Sequence, residues 1–261
     1  MSMHSGTLTA AGARSKWLVW PRPNPTSSLR LFCFASAGHG PSMFRSWPVL
    51  VGPDVELGII QLPGRESRWS EAPLSSLGAL VPPLCDALAP HLDRRFAFFG
   101  HSLGALVAFE TARHLRRTRN LSPALVFASA HRAPQLPNRH PRISDLPREE
   151  FVAAVNARHG GIPEAVSRNR ELLDLMLPSL TADYRMFEDF RYVADAPLPC
   201  PIAALGGTED VYVGRAELEP WAVQTGAAFT LHILAGGHFF VNDSREQVVS
   251  IVLDQLQRAG L

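Results

Sequence analysis

Short apolar runs alternate with amphipathic stretches along most of the chain. The runs with the length of strands are residues 31–35, 57–62, 95–99, 125–129, 202–206 and 230–234. The stretches with helical periodicity between and after them are residues 42–50, 74–91, 103–117 and 245–258. Near-continuous apolar strands separated by helices are typical of a parallel sheet that helices cover on both faces.

One interval departs from this alternation. Residues 130–197 lack a convincing strand pattern and carry helical patterns opened by capping signals, such as the segment from Ser144 to Phe151. We predict a helical insertion over about residues 131–196, at the carboxyl ends of the strands, where open α/β sheets bind ligands. The alternative is a helical decoration without a role in the site.

The remaining pattern concerns the amino-terminal part and the domain organisation. Residues 1–15 are small and polar, which predicts a disordered tail, and residues 16–20 predict an edge strand. A length of 261 residues suits one α/β domain, and we predict a single domain over 1–261.

Composition and charge narrow the class of protein. Apolar residues make up 46% and charged residues 19%, with a net charge of +1, so no global field favours nucleic acid or a membrane surface. No apolar leader core and no run of about 20 apolar residues is found, and we expect a cytoplasmic protein. The three cysteines, Cys33, Cys85 and Cys200, lack metal-ligand or redox spacing and are interpreted as small buried apolar groups.

The candidate chemistry centres on Ser102. The apolar run ending at Phe99 continues into Gly-His-Ser-Leu-Gly, residues 100–104, and a helical pattern follows at once. Strand, sharp turn and helix are the context that a nucleophile elbow requires, because glycine neighbours let the strand and helix crowd around the serine. The pattern predicts Ser102 as the nucleophile of a serine hydrolase with the α/β-hydrolase fold.

A serine hydroxyl needs a base, and the base needs an acid to orient it. In this fold the chain order is serine, acid, histidine. Asp210 follows the strand at 202–206, and His238 follows the last strand, so both are predicted at the same sheet edge as Ser102. Glu209 is an alternative to Asp210. Among the other histidines, His101 flanks the nucleophile rather than facing it, and several others fall in a strand, in helices, in the tail or in a proline-rich loop.

The oxyanion formed on attack needs two positioned donors. The backbone N–H of Leu103 is one candidate, and that of Ala37, in the loop after the first core strand, is the other. A flexible glycine loop without that role is an equal alternative for the second.

From about Leu29 onward the chain resembles the stand-alone (type II) thioesterases that serve polyketide synthases and nonribosomal peptide synthetases. The resemblance is carried by residues 31–38, by Pro-Gly-Arg-Glu at 63–66, by the elbow, by Leu-Pro-Ser-Leu-Thr-Ala-Asp-Tyr at 177–184, and by residues 206–210 and 236–240. Two positions depart from the family pattern. The usual Pro-His-Ala-Gly-Gly reads Ala-Ser-Ala-Gly-His at 35–39, and Thr181 stands where arginine is usual.

The resemblance implies a catalytic triad of Ser102, Asp210 and His238, an oxyanion hole at Ala37 and Leu103, and a lid formed by the helical insertion. It also implies hydrolysis of acyl groups from the phosphopantetheine thiol of an acyl or peptidyl carrier protein, as an editing step, without a metal or organic cofactor. The chain contains no Asp-Ser-Leu signature for attaching phosphopantetheine, so the carrier is expected to be a separate protein, and such carriers are usually acidic. The enzyme itself is expected to be a monomer. Arginines that could meet the carrier, or merely complement a helix dipole, are Arg113, Arg116, Arg117 and Arg119.

Other functions remain open on the sequence. One is a carboxylesterase or a thioesterase acting on coenzyme A esters. A catalytically silent binding protein of the same fold is another, because a fold alone does not determine function.

Overall fold

The structure, a computed structural model, describes residues 15–159, 161–162 and 164–261. The described residues form one seven-stranded sheet in the order β1-β3-β2-β4-β5-β6-β7. Its strands are β1 (Leu18–Val19), β2 (Leu29–Phe34), β3 (Val55–Ile60), β4 (Arg95–His101), β5 (Val126–Ser129), β6 (Ile202–Gly207) and β7 (Phe229–Leu234). β1 pairs antiparallel with β3 at one edge, and every other pairing is parallel.

The sheet agrees closely with the apolar pattern. Each predicted core strand is present within about two residues of its expected bounds, and the predicted edge strand shortens to β1. The prediction for the amino-terminal tail lies, except for Ser15, outside the described residues.

The helices are α1 (Trp47–Leu50), α2 (Leu77–Leu88), α3 (Leu103–Arg119), α4 (Arg148–His159), α5 (Glu164–Ser167), α6 (Arg170–Asp189), α7 (Arg215–Leu218), α8 (Phe240–Asp243) and α9 (Arg245–Arg258). The helix predicted over residues 42–50 was wrong as a continuous element. A 3₁₀ turn over Pro41–Phe44 and the short α1 replace it, because Pro48 stands at the start of α1 and its ring restricts the preceding turn. Of the described helices, none is long and apolar enough to cross a membrane.

Two apolar layers enclose the sheet. Along β2, Phe32 and Phe34 face a cluster that contains α2 and α3, whereas Leu31 and Cys33 face a second cluster that contains α1 and α9. This alternation is the two-residue period of a strand whose faces are both covered. The three cysteines lie buried in these layers, and burial raises the pKa of Cys85 and Cys200 to about 12, which keeps their thiols protonated.

The interval predicted as a helical insertion contains α4, α5 and α6 and, among its described residues, no strand of the sheet. These helices share an apolar cluster of their own, which includes Phe151, Val155, Leu177 and Leu180. Ala37, in the loop after β2, packs against that cluster. The insertion therefore lies against the carboxyl-terminal edge of the sheet.

Candidate active site

Ser102 lies in the sharp turn between β4, the central strand, and α3. Its backbone has φ +54° and ψ −122°, a conformation that residues other than glycine rarely adopt. Its N–H donates to the carbonyl of Ser129 at 2.7 Å, which ties the turn to the neighbouring strand β5. The turn holds the serine hydroxyl clear of the sheet, in a strained position that the surrounding structure maintains.

The glycines of the elbow permit this turn by close approach. A Cβ on Gly104 would lie 2.1 Å from the carbonyl oxygen of Phe34, and one on Gly100 would lie 2.2 Å from that of Gly104. Both contacts are with backbone, which cannot move aside cheaply. Glycine is therefore required where α3 crosses the ends of β2 and β4.

His238 and Asp210 meet Ser102 from the loops after β7 and β6. Nε2 of His238 lies 2.9 Å from Oγ of Ser102, and its Nδ1 lies 2.7 Å from Oδ2 of Asp210. The structure thus brings together all three side chains that the sequence singled out. Glu209, the alternative acid, is exposed, whereas Asp210 is buried beneath the histidine.

The environment of Asp210 keeps it ionised. Burial alone would raise the pKa of this carboxyl, but the hydrogen bond and charge of His238 oppose that effect. The N–H groups of Tyr212 and Val213 donate to Oδ1 at 3.0 and 3.1 Å, and the net pKa lies below its ordinary value. An ionised Asp210 accepts a hydrogen bond from Nδ1–H of His238, and this tautomer presents Nε2 to Ser102 as a proton acceptor.

Ala37 and Leu103, the expected oxyanion donors, both line the cleft that contains Ser102. Leu103 is the first residue of α3, where N–H groups have no intrahelical acceptor. The Ala37 loop is fixed by a contact with the insertion, since the N–H of Gly38 donates to Oδ2 of Asp183 on α6 at 2.8 Å.

Arg65 explains the Pro-Gly-Arg-Glu motif. Its Nη1 and Nη2 donate to the two carboxylate oxygens of Asp183 at 2.7 and 2.9 Å, and both side chains are buried. Nη1 also donates to the carbonyl of His39 at 3.2 Å. The pair therefore joins the motif, the Ala37 loop and the insertion helix α6, a connection that neither motif by itself reveals.

The cleft above Ser102, counted together with the solvent space at its open mouth, spans about 820 Å³. Apolar side chains of the insertion, such as Val155 and Leu180, form part of its wall. Arg132, His140 and Arg158 also line it, and sequence analysis missed all three. Their only signal in the sequence was their position within the insertion.

The suggestion that Arg113 could meet a partner protein was wrong. Its side chain is only 4% exposed, donates to Glu110 at 2.6 Å and packs against the ring of Tyr192. Arg116 and Arg117 share Asp195, and Arg119 pairs with Asp86. These arginines hold α3 to neighbouring segments, although Arg117 and Arg119 stay partly exposed.

Comparison with known proteins identifies relatives over nearly the whole chain. A family model described as "Thioesterase domain" matches residues 29–256. The "Linear gramicidin dehydrogenase LgrE" of Brevibacillus parabrevis is 38% identical over 93% of this chain and 93% of its own.

Solved structures agree in fold. The type II thioesterase BorB from the borrelidin biosynthetic cluster is 32% identical, with a TM-score of 0.85 over 94% of this chain and 99% of its own. YbtT, the type II thioesterase from the yersiniabactin NRPS/PKS biosynthetic pathway, is 27% identical, with a TM-score of 0.82 over 93% and 99%. The likeness confirms the predicted α/β-hydrolase architecture, a mostly parallel sheet with helices on both faces.

Proposed function

The chain belongs to the thioesterase family, and from that premise we propose that it hydrolyses acyl thioesters on the phosphopantetheine arm of acyl or peptidyl carrier proteins. Its task in this proposal is to clear stalled or mis-primed acyl units from a polyketide or nonribosomal peptide assembly line. The observation that carries the proposal is the Ser102–His238–Asp210 array, set in a partly apolar cleft of a chain that matches type II thioesterases over their full length.

In the first chemical step His238 accepts the proton of Ser102 as its Oγ attacks the thioester carbonyl. Asp210 holds the imidazole in the required tautomer and stabilises the imidazolium that forms. The N–H groups of Leu103 and Ala37 stabilise the oxyanion. Collapse of the tetrahedral intermediate breaks the carbon–sulfur bond, and His238 gives its proton to the departing sulfur, which leaves as a thiol.

The second step releases the acyl group. Water enters the cleft, His238 takes its proton, and the hydroxide attacks the acyl–Ser102 ester. The serine leaves with the proton from His238, so the enzyme returns to its starting state without a cofactor. In this scheme α4–α6 serve as a lid that limits the acyl chamber.

The carrier is proposed as a separate protein. Relatives of this chain function in NRPS/PKS systems, whose substrates are bound covalently to carrier proteins. The chain itself has no Asp-Ser-Leu signature for attaching the arm. The thioester at the end of the arm would have to reach Ser102 through the cleft above it.

A dehydrogenase activity, suggested by the name of the Brevibacillus parabrevis relative, fits this chain poorly. Dinucleotide binding uses Gly-x-Gly-x-x-Gly at the turn into a long helix, whose N-terminus binds the pyrophosphate. Here Gly38 and Gly40 are followed by Met43 at the third glycine position, and the next element is only the 3₁₀ turn Pro41–Phe44. The turn after β2 therefore lacks both features.

Hydrolysis of matched substrates tests the proposal. Propionyl groups are offered on carrier protein, on coenzyme A and as an oxygen ester, and kcat/KM is measured for each. We expect the carrier-bound thioester to react fastest, and Ser102→Ala to reduce its hydrolysis by at least about 10³-fold. Ser250→Ala, an exposed serine on α9, is the control and keeps full activity.

Three results would contradict the proposal. Equal or faster hydrolysis of the coenzyme A or oxygen ester indicates a different substrate class within the fold. Unchanged activity in Ser102→Ala would show that Ser102 is not the nucleophile. Absence of hydrolysis with every substrate favours a binding protein.

A further inference from the structure

Basic side chains occupy one part of the cleft that the proposed hydrolysis does not use. Arg132 follows β5 in the loop that leads into the insertion, His140 lies further along that loop, and Arg158 lies on α4. All three line the same cleft as Ser102 and His238. Two of them come from one loop and the third from α4, and together they form one wall of the cleft.

Arg132 has no carboxylate partner within salt-bridge distance among the described residues. Its guanidinium lies over the ring of Phe187, 4.7 Å from the ring centre, and its Nε donates to the carbonyl of Leu136 at 3.3 Å. Burial lowers its pKa to about 10, so it still carries its charge at neutral pH. A half-buried cation without a counter-ion is costly unless an anion completes the site.

Arg158 and His140 share the same surroundings. Arg158 donates to the carbonyl of Pro141, and among the described residues no carboxylate pairs with it. Burial lowers the pKa of His140, the charges of Arg158 and Arg132 lower it further, and Glu217 acts in the opposite direction. The positive potential of the two arginines therefore converges on His140.

The nearby acidic groups are already engaged. Asp183 pairs with Arg65, and Asp210 pairs with His238. Glu217 accepts the N–H of Gly214 at 3.1 Å and keeps its charge, which offsets one of the two arginines. The wall formed by Arg132 and Arg158 thus keeps excess positive charge.

We propose that Arg132, His140 and Arg158 form a subsite for the anionic group of an acyl thioester substrate, and that this group is a carboxylate on the acyl unit. The inference rests on the proposed hydrolysis of acyl thioesters. The enzyme then prefers acyl groups that end in a carboxylate, such as a malonyl unit, over neutral groups of equal length.

The contacts of the subsite favour a carboxylate over the phosphodiester of the arm. The ring of His140 packs edge-on against Tyr212 with 4.9 Å between ring centres, and the N–H of Tyr212 donates to Asp210. Arg132 directly follows His131, and it lines the same cleft as His238. The subsite therefore adjoins the reacting groups, whereas the phosphodiester lies at the opposite end of the arm from the thioester.

Four substrates separate the two anions. Malonyl and propionyl groups, which have equal numbers of carbon atoms, are each linked to pantetheine and to 4′-phosphopantetheine. With pantetheine, which has no phosphate, we expect kcat/KM for malonyl to exceed that for propionyl about tenfold, the usual effect of a charge-assisted hydrogen bond. Rates are corrected for uncatalysed hydrolysis.

Substitutions assign the preference to residues. Arg132→Gln and Arg158→Gln are each expected to bring the malonyl-to-propionyl ratio near one. Arg215→Gln, at an exposed arginine on α7, is the control and retains the ratio. Because Arg132 is half-buried, Arg158→Gln keeps the test valid if Arg132→Gln does not fold.

Binding separates this inference from the proposed function. Calorimetry with the Ser102→Ala protein measures the Kd for malonyl-pantetheine and propionyl-pantetheine without turnover, and we expect about tenfold tighter binding of malonyl. If malonyl binds more tightly but the native enzyme hydrolyses neither compound, the carboxylate subsite is supported and the proposed hydrolase function is rejected. Three results overturn the carboxylate subsite. They are an equal Kd for the malonyl and propionyl compounds, a malonyl preference that both arginine variants keep, and a preference that depends only on the phosphate of the arm.

Discussion

Ser102 shows how a single residue depends on its glycine neighbours. The elbow holds its backbone at φ +54°, and Gly100 and Gly104 let β4, β2 and α3 approach closely enough to maintain that strain. At this scale the requirement is steric, since Gly104 itself needs no left-handed conformation. The glycine is required because backbone oxygens occupy the space of a Cβ.

Gly104→Ala is expected to destabilise the protein by more than about 3 kcal/mol or to prevent folding, because the new methyl group meets backbone that cannot shift. Gly78→Ala is the matched control. Nothing lies within 4 Å of a Cβ at Gly78 in α2, so alanine should stabilise the helix by about 0.5 kcal/mol. Urea unfolding of both variants measures the difference, and similar midpoints would contradict the steric account.

Arg65 and Asp183 act between elements. They link the segment after β3 to α6, and Asp183 also accepts the N–H of Gly38 in the loop after β2. Three elements thus converge on one buried carboxylate. The insertion helix and the proposed oxyanion loop are consequently parts of a single hydrogen-bonded unit.

Asp183→Asn removes the charge that compensates Arg65 and should cost about 3–5 kcal/mol of unfolding free energy. Asp189→Asn, on the same helix, is the control. Asp189 is 54% exposed and pairs with Arg142 at the surface, so its loss should cost less than about 1 kcal/mol. Denaturant titration of both variants tests this, and equal losses would mean that the buried pair does not stabilise the junction.

At the scale of the molecule, the strand order places the site. The chain proceeds from β2 outward to β3 and then returns to β4 on the other side of β2, so the loops after β2 and β4 diverge in opposite directions. Such a switch point opens a crevice at the carboxyl ends of the strands. Ala37 and Ser102 lie in those two loops, and the insertion covers the crevice.

The stability of the whole molecule should depend on His131, which burial keeps neutral. Burial, with a smaller effect of Arg132, lowers its pKa from 6.5 to about 3. Between these values the unfolded chain binds a proton that the folded protein does not, so stability falls as the pH decreases through this window. The slope due to one such group is at most about 1.4 kcal/mol per pH unit.

His131→Phe cannot ionise and should flatten the dependence of unfolding free energy on pH between pH 6.5 and pH 4. Urea midpoints at several pH values measure the slope for the native protein and the variant. Their difference isolates His131, because the carboxylates that also titrate in this range are the same in both. Identical slopes would show that His131 is protonated in the folded state.

The amino-acid sequence alone predicts the strand–helix alternation, the elbow and the order of Ser102, Asp210 and His238. These features depend on local patterns, namely apolar runs, glycine spacing and the position of a polar residue after a strand. The continuous helix predicted at residues 42–50 was wrong because Pro48, in the first turn of α1, prevents a helix from continuing through it from residue 42.

Pairings between residues far apart in the chain depend on the tertiary structure. Arg65 and Asp183 are 118 residues apart, and the basic wall of Arg132, His140 and Arg158 comes from a loop and a helix without a shared motif. Arg113, which the sequence suggested as a contact for a partner protein, is instead buried against Tyr192, because a segment distant in the chain packs over it. The partners of a charged side chain are chosen by the packing of whole elements, and local hydrophobic patterning contains no record of that choice.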